Sequence, residues 1–147
     1  MTQRLLAAVA LLPLALTACG DRKITWTTHE AGPLVVEFPC VPKESGVAWK
    51  CMRSDGSEYA IRKVEKGLPL DAELAEAREY MRAIPKGEVF QEDAFPLRWR
   101  EVRQFTTIDF LMYYEDGKEL TLEVSYPAPP PPKELDEFFS RAKLKGK

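Results

Sequence analysis

Phe110-Leu111-Met112-Tyr113-Tyr114-Glu115-Asp116-Gly117-Lys118-Glu119-Leu120-Thr121-Leu122-Glu123-Val124-Ser125-Tyr126 is the stretch from which the fold can be read. Asp116-Gly117 tolerates the positive φ of a tight turn, so the flanking runs predict a β-hairpin. Pairing Tyr114 with Glu119 sets Tyr113 opposite Leu120 and Leu111 opposite Leu122. Strand side chains alternate between faces, so Leu120, Leu122, Val124 and Tyr126 point inward while Glu119, Thr121, Glu123 and Ser125 point outward. A slip of one residue would bury the glutamates, and the register is fixed accordingly. The first strand differs, because Phe110, Met112 and Tyr114 lie opposite Leu111 and Tyr113 and both faces are apolar. Either helices cover the sheet on both sides, or one face is an exposed groove for a partner.

Towards the N-terminus, Phe95–Phe105 and Val89-Phe90 read as strands, with Pro96 at a boundary or edge. Asp71 is a fitting N-cap for a helix running to about Ile84, ended by Pro85-Lys86-Gly87. Its stripe is Leu74, Ala77, Met81 and Ile84, with Glu73, Glu76, Arg78, Glu79 and Arg82 on the remainder. Further back, Asp55-Gly56 turns into a strand over 57–64. Val47, Trp49 and Cys51 share one face of a strand, as do Leu34, Val36, Phe38 and Cys40. Residues 19–32 are polar and read as a tether, in which Ile24 and Trp26 allow a terminal strand docked on the sheet. Beyond the hairpin, 127–132 predicts extended polyproline, either a connector or a ligand for an SH3-like groove. Leu135, Phe138, Phe139 and Ala142 then predict a short helix over 133–144. The expected fold is one α+β domain over 33–147, a predominantly antiparallel sheet flanked by helices.

Residues 1–18 have a different character. Arg4 precedes an apolar run from Leu5 to Leu16, broken only by Pro13, and the segment closes on Leu16-Thr17-Ala18-Cys19. Basic start, apolar middle and small-residue end are the order of a secretory signal, and the run is too short to span a bilayer. Leu16-Thr17-Ala18-Cys19 resembles the lipobox of bacterial lipoproteins. The resemblance implies cleavage after Ala18, diacylglycerol on Cys19 and a membrane anchor in the cell envelope. Gly20, rather than aspartate, after the cysteine favours the periplasmic face of the outer membrane where the cell has one. With Cys19 lipidated, Cys40 and Cys51 remain as a pair, which an oxidising compartment would turn into a disulfide.

Composition excludes several classes. The chain holds 21 basic and 23 acidic residues, interspersed, with no footprint for nucleic acid. His29 is its one histidine, which argues against a metal centre and against Ser-His-Asp or Cys-His catalysis. No cofactor loop is present, and the acidic pairs Glu76/Glu79 and Glu92/Asp93 read as solvated faces. The expectation is a non-enzymatic protein without cofactor. Arg98, Arg100 and Arg103 form the one basic cluster. It is either a solvated face over a buried Trp99 or an anion- or partner-binding patch. With Phe110, Met112 and Tyr114, these are the candidate partner-surface residues.

Val36-Glu37-Phe38-Pro39-Cys40-Val41-Pro42 matches a V-x-F-P-x-x-P opening, and with the order of elements the domain resembles the PsbP-like fold of small exported proteins. That resemblance implies an α/β/α sandwich which binds or assists other proteins, and it lends no catalytic residues. The expected function is a lipid-anchored envelope module binding a protein partner. The alternative is a small-ligand binder with an apolar pocket between helix and sheet.

Overall fold

A computed structural model describes residues 23–127 and 129–147. Residues 1–18, read as a signal, and Cys19, read as the lipid site, lie outside the described residues. Ten strands and two helices follow one another among those described. They are β1 (Thr27–Ala31), β2 (Leu34–Phe38), β3 (Lys43–Ser45), β4 (Ala48–Met52), β5 (Glu58–Glu65), α1 (Leu70–Arg82), β6 (Gly87–Gln91), β7 (Leu97–Val102), β8 (Thr107–Glu115), β9 (Lys118–Tyr126), α2 (Leu135–Ser140) and β10 (Lys143–Leu144). The fold is mainly antiparallel β, with less helix than a balanced α+β sandwich.

Seven strands form the main sheet in the order β3-β4-β5-β9-β8-β7-β6. The β8–β9 hairpin pairs Tyr114 with Glu119, Tyr113 with Leu120 and Leu111 with Leu122, as the alternation predicts. Asp116 and Gly117 take positive φ at its turn, of 50° and 72°. β2 does not join this sheet. It pairs with β1 and β10 in a small separate sheet, whose residues Leu34, Val36 and Phe38 pack with Tyr59, Ile61, Leu120, Leu122 and Val124 of the main sheet. Phe138 and Phe139 of α2 close the same core. On the opposite face of the main sheet, Ala77 and Met81 of α1 pack with Leu97, Trp99, Ile108, Phe110 and Met112, supported by Leu74 and Ile84. β8 is apolar on both faces because both are covered.

Several expectations change. The stretch read as a tether contains β1, whose His29 ring packs 4.9 Å from that of Trp49. The disulfide Cys40–Cys51, Cα atoms 5.9 Å apart, forms as expected. It links the segment that runs from β2 to β3 with β4, and so ties the chain where it leaves the small sheet to the main one. α1 starts at Leu70 after Pro69, with no side-chain cap, and Asp71 sits inside its first turn. There its charge faces the helix's exposed N–H groups without capping one. The final helix stops at Ser140, because Lys143 and Leu144 pair with Val35 and Leu34 of β2 and satisfy backbone groups there. The strand expected to reach Phe105 ends at Val102. The chain turns where Arg103 N–H donates to Thr106 O at 2.8 Å, leaving Phe105 80% exposed.

Candidate functional site

α1 packs over β7 and β8, and beside it on the same face lie side chains of β5 and β9. The step between helix and sheet is a groove of about 280 Å³. Ala77 and Tyr80 of α1 form one wall, Trp99, Phe110 and Met112 the floor, and Arg62, Lys66, Glu73, Glu76, Glu119, Thr121 and Glu123 the remaining lining. The alternation that points Leu120, Leu122 and Val124 into the core is what brings Glu119, Thr121 and Glu123 here.

The floor is ordered by stacking and by one carboxylate. Trp99 and Phe110 lie face to face, ring centres 4.7 Å apart and 9° from parallel. Glu101 Oε1 accepts from Tyr80 O–H at 2.6 Å and from Trp99 Nε1–H at 3.2 Å, while Oε2 accepts from Arg103 Nη2 at 2.8 Å. Burial pushes the Glu101 carboxyl up, but these three donors outweigh it and hold it below the usual carboxylate range. The same contacts act oppositely on Tyr80, whose hydroxyl is pushed up to about 12 by burial and by its bond to Glu101.

The charged end centres on Lys66, which follows β5. Its Nζ bonds Glu76 Oε1 at 2.9 Å and stands 4.0 Å from Glu73 Oε1 and 3.8 Å from Glu119 Oε2. The bond to Glu76 raises the lysine above its ordinary range. Glu73 is only 1% exposed, and its Oε2 meets no donor. Burial raises the Glu73 carboxyl despite Lys66, and the nearby Glu119 and Glu76 add to the rise. Glu73 was expected on the solvated side of the helix. It stands four residues before Ala77 and eight before Met81, and this 4-residue spacing is the signal that places it on the inward stripe.

The six residues singled out from the sequence do not form one surface. Phe110, Met112 and Tyr114 are buried beneath α1 and the loops beside it. Tyr114 stacks on Phe95 at 5.7 Å and donates to Leu68 O at 2.7 Å. They are not an open partner face, although Phe110 and Met112 floor the groove. Arg98 and Arg100 point to the other face of the sheet. Arg98 bonds Asp136 of α2 at 2.7 Å and lies 5.4 Å from the Phe90 ring centre and 5.3 Å from that of Phe139. Arg100 Nε donates to both oxygens of Asp109, each at 3.1 Å. Arg103 bonds Glu101. Each guanidinium is therefore committed to a carboxylate of the chain and not gathered into an anion site. Asp109, fully buried, also accepts from Tyr126 O–H at 2.7 Å. It escaped the sequence reading because a lone acid in an apolar strand has no pattern.

Among the described residues no group of three His, Cys, Asp or Glu side chains is placed to hold a metal ion. Nor is any helix among them long and apolar enough to cross a membrane. No protein-family model, curated protein or solved structure matches the chain.

Proposed function

We propose that the protein is a lipid-anchored binding module of a bacterial envelope, non-enzymatic, whose ligand site is the groove between α1 and the main sheet. The observation that carries this reading is the groove itself. It is a concave space of about 280 Å³ with an aromatic floor and a few polar groups at one end, the usual make-up of a small-ligand site. It favours a small ligand over a flat protein surface, since the residues expected to form such a surface are buried or paired. A PsbP-like architecture is the fold reading we attach to it, supported by a β-sheet with α1 on one face and α2 on the other.

The address rests on Leu16-Thr17-Ala18-Cys19 and on cysteine parity. With Cys40 and Cys51 bonded to each other, Cys19 is the one cysteine left for lipid. Intact mass and membrane fractionation of the native protein beside Cys19→Ala test it. An acylated N-terminal cysteine and a membrane-bound wild type, both lost in the variant, are the expected result; a soluble protein with an unmodified Cys19 would remove the anchor. For the site, Glu76→Trp fills the groove from an exposed position on α1, and loss of ligand binding with an unchanged fold is expected.

A second reading, acid–base hydrolysis, is favoured by one observation, the raised Glu73 carboxyl beside Glu119. Glu73→Gln separates the two: hydrolysis would be abolished, whereas a binding module has no turnover to lose.

A further inference from the structure

We infer that the groove takes an organic ammonium group with a short apolar tail, the ammonium meeting Glu73 and Glu119 and the tail lying over Trp99, Phe110 and Met112. This deepens the reading of the groove as the ligand site and rests on it. The first support is charge pairing. Four carboxylates and two bases line the groove. Arg62 is hydrogen-bonded to Glu123 at 3.1 Å and Lys66 to Glu76 at 2.9 Å. Glu73 and Glu119 are left without a hydrogen-bonded cation, because Lys66 stands 4.0 and 3.8 Å from them.

The second support is the unpartnered oxygen. Glu119 Oε1 at least accepts from Thr121 Oγ1 at 3.1 Å, but Glu73 Oε2 accepts from nothing while being almost wholly buried. Buried carboxylates without donors are rare, since water's hydrogen bonds are lost and nothing replaces them. Protonation of Glu73 relieves this by removing its charge. An ammonium does so better, because it brings a full positive charge and three donors. Neutral ligands leave Glu73 Oε2 without a cationic donor, and carboxylate ligands meet like charge.

The third support is size and floor. A space of about 280 Å³ equals the liquid volume of roughly nine waters, which suits a small amine. The floor of Trp99, Phe110 and Met112 is apolar and suits the alkyl tail.

The test uses the Cys19→Ala protein and three six-carbon probes, n-hexylammonium, hexanol and hexanoate, titrated at pH 7 while the Trp99 indole N–H and Met112 methyl resonances are followed. Saturable shifts with hexylammonium are expected at concentrations at least ten-fold below those hexanol requires, with none from hexanoate. Glu73→Gln and Glu119→Gln should each weaken hexylammonium at least ten-fold and leave hexanol unchanged. If hexanol matches hexylammonium, the groove is still a ligand site but the ammonium assignment fails. If no probe moves either resonance, the ligand-site reading fails and the inference falls with it.

Discussion

Single residues show most sharply where folding and function pull apart. Glu73 is a carboxyl whose folded state favours the proton, so it binds more protons folded than unfolded between its two titrations. Wild-type stability therefore falls as pH rises through the raised folded titration, and the penalty is absent below the ordinary carboxyl range. Glu73→Gln should accordingly melt about 4 °C higher than wild type at pH 7, corresponding to about 1 kcal/mol for a relieved buried acceptor. The gain should shrink towards zero near pH 4; a gain independent of pH would mean the side chain is solvated. Asp109 is the converse case, with its carboxylate holding Arg100 and Tyr126. Asp109→Ala leaves a charge and a hydroxyl unpaired and should cost about 3 kcal/mol in denaturant unfolding. A loss below about 1 kcal/mol would show that water replaces the partner. Neither acid was legible in the sequence as more than a polar residue. Their roles come from neighbours distant in the chain, Lys66 and Glu119 for the first and Arg100 and Tyr126 for the second.

At the scale of elements, legibility followed periodicity. The β8–β9 hairpin could be read to the residue because a tight turn and a strict alternation determine both register and faces. The α1 stripe was read nearly as well, through Ala77 and Met81. What could not be read was the choice of neighbour. Nothing in Leu34-Val35-Val36-Glu37-Phe38 says that it pairs with β1 and β10 instead of β4, since any half-buried strand presents the same alternation. β10 has two residues, too few for a period to appear. The groove was legible in part. The residues on its floor were named, Trp99 as buried and Phe110 and Met112 as either covered by a helix or exposed to a partner, because which face α1 covers is decided by packing. The disulfide gives this scale its own prediction. Cys40–Cys51 ties the chain where it leaves the small sheet to the main one, so its loss frees β1 and β2 more than a bridge within one sheet would. Cys40→Ser with Cys51→Ser should lower unfolding stability by about 3 kcal/mol. Amide exchange should rise first in β1 and β2, and uniform exchange across both sheets would contradict the inter-sheet role.

The whole molecule has an orientation if Cys19 carries lipid, and it can be tested apart from the groove. Lys23 is four positions after Cys19, so even a fully extended chain holds it within about 14 Å of the anchored cysteine. Lys23 shares one surface hollow with Cys40 and Val41, and Val41 shares the next with Lys43 and Met52. Val41 and Met52 are 70% and 66% exposed, apolar side chains beside basic ones. That end of the domain would face the bilayer, where apolar side chains enter the interface and lysines meet headgroups. Met52 pairs with Glu58 at one end of β5, while Lys66 and Glu73 lie past the other end. Eight strand residues span about 24 Å, so the charged end of the groove would point away from the membrane and stay open to ligand. Oxidative footprinting of the lipidated protein on vesicles, beside soluble Cys19→Ala, measures this directly. Met52 should be protected several-fold on vesicles while Tyr80, in the groove wall, reacts equally in both states. Equal oxidation of Met52 in both states would mean that the domain stands clear of the bilayer. Protection of Tyr80 instead would turn the groove towards the membrane and make its ligand a lipid rather than a solute.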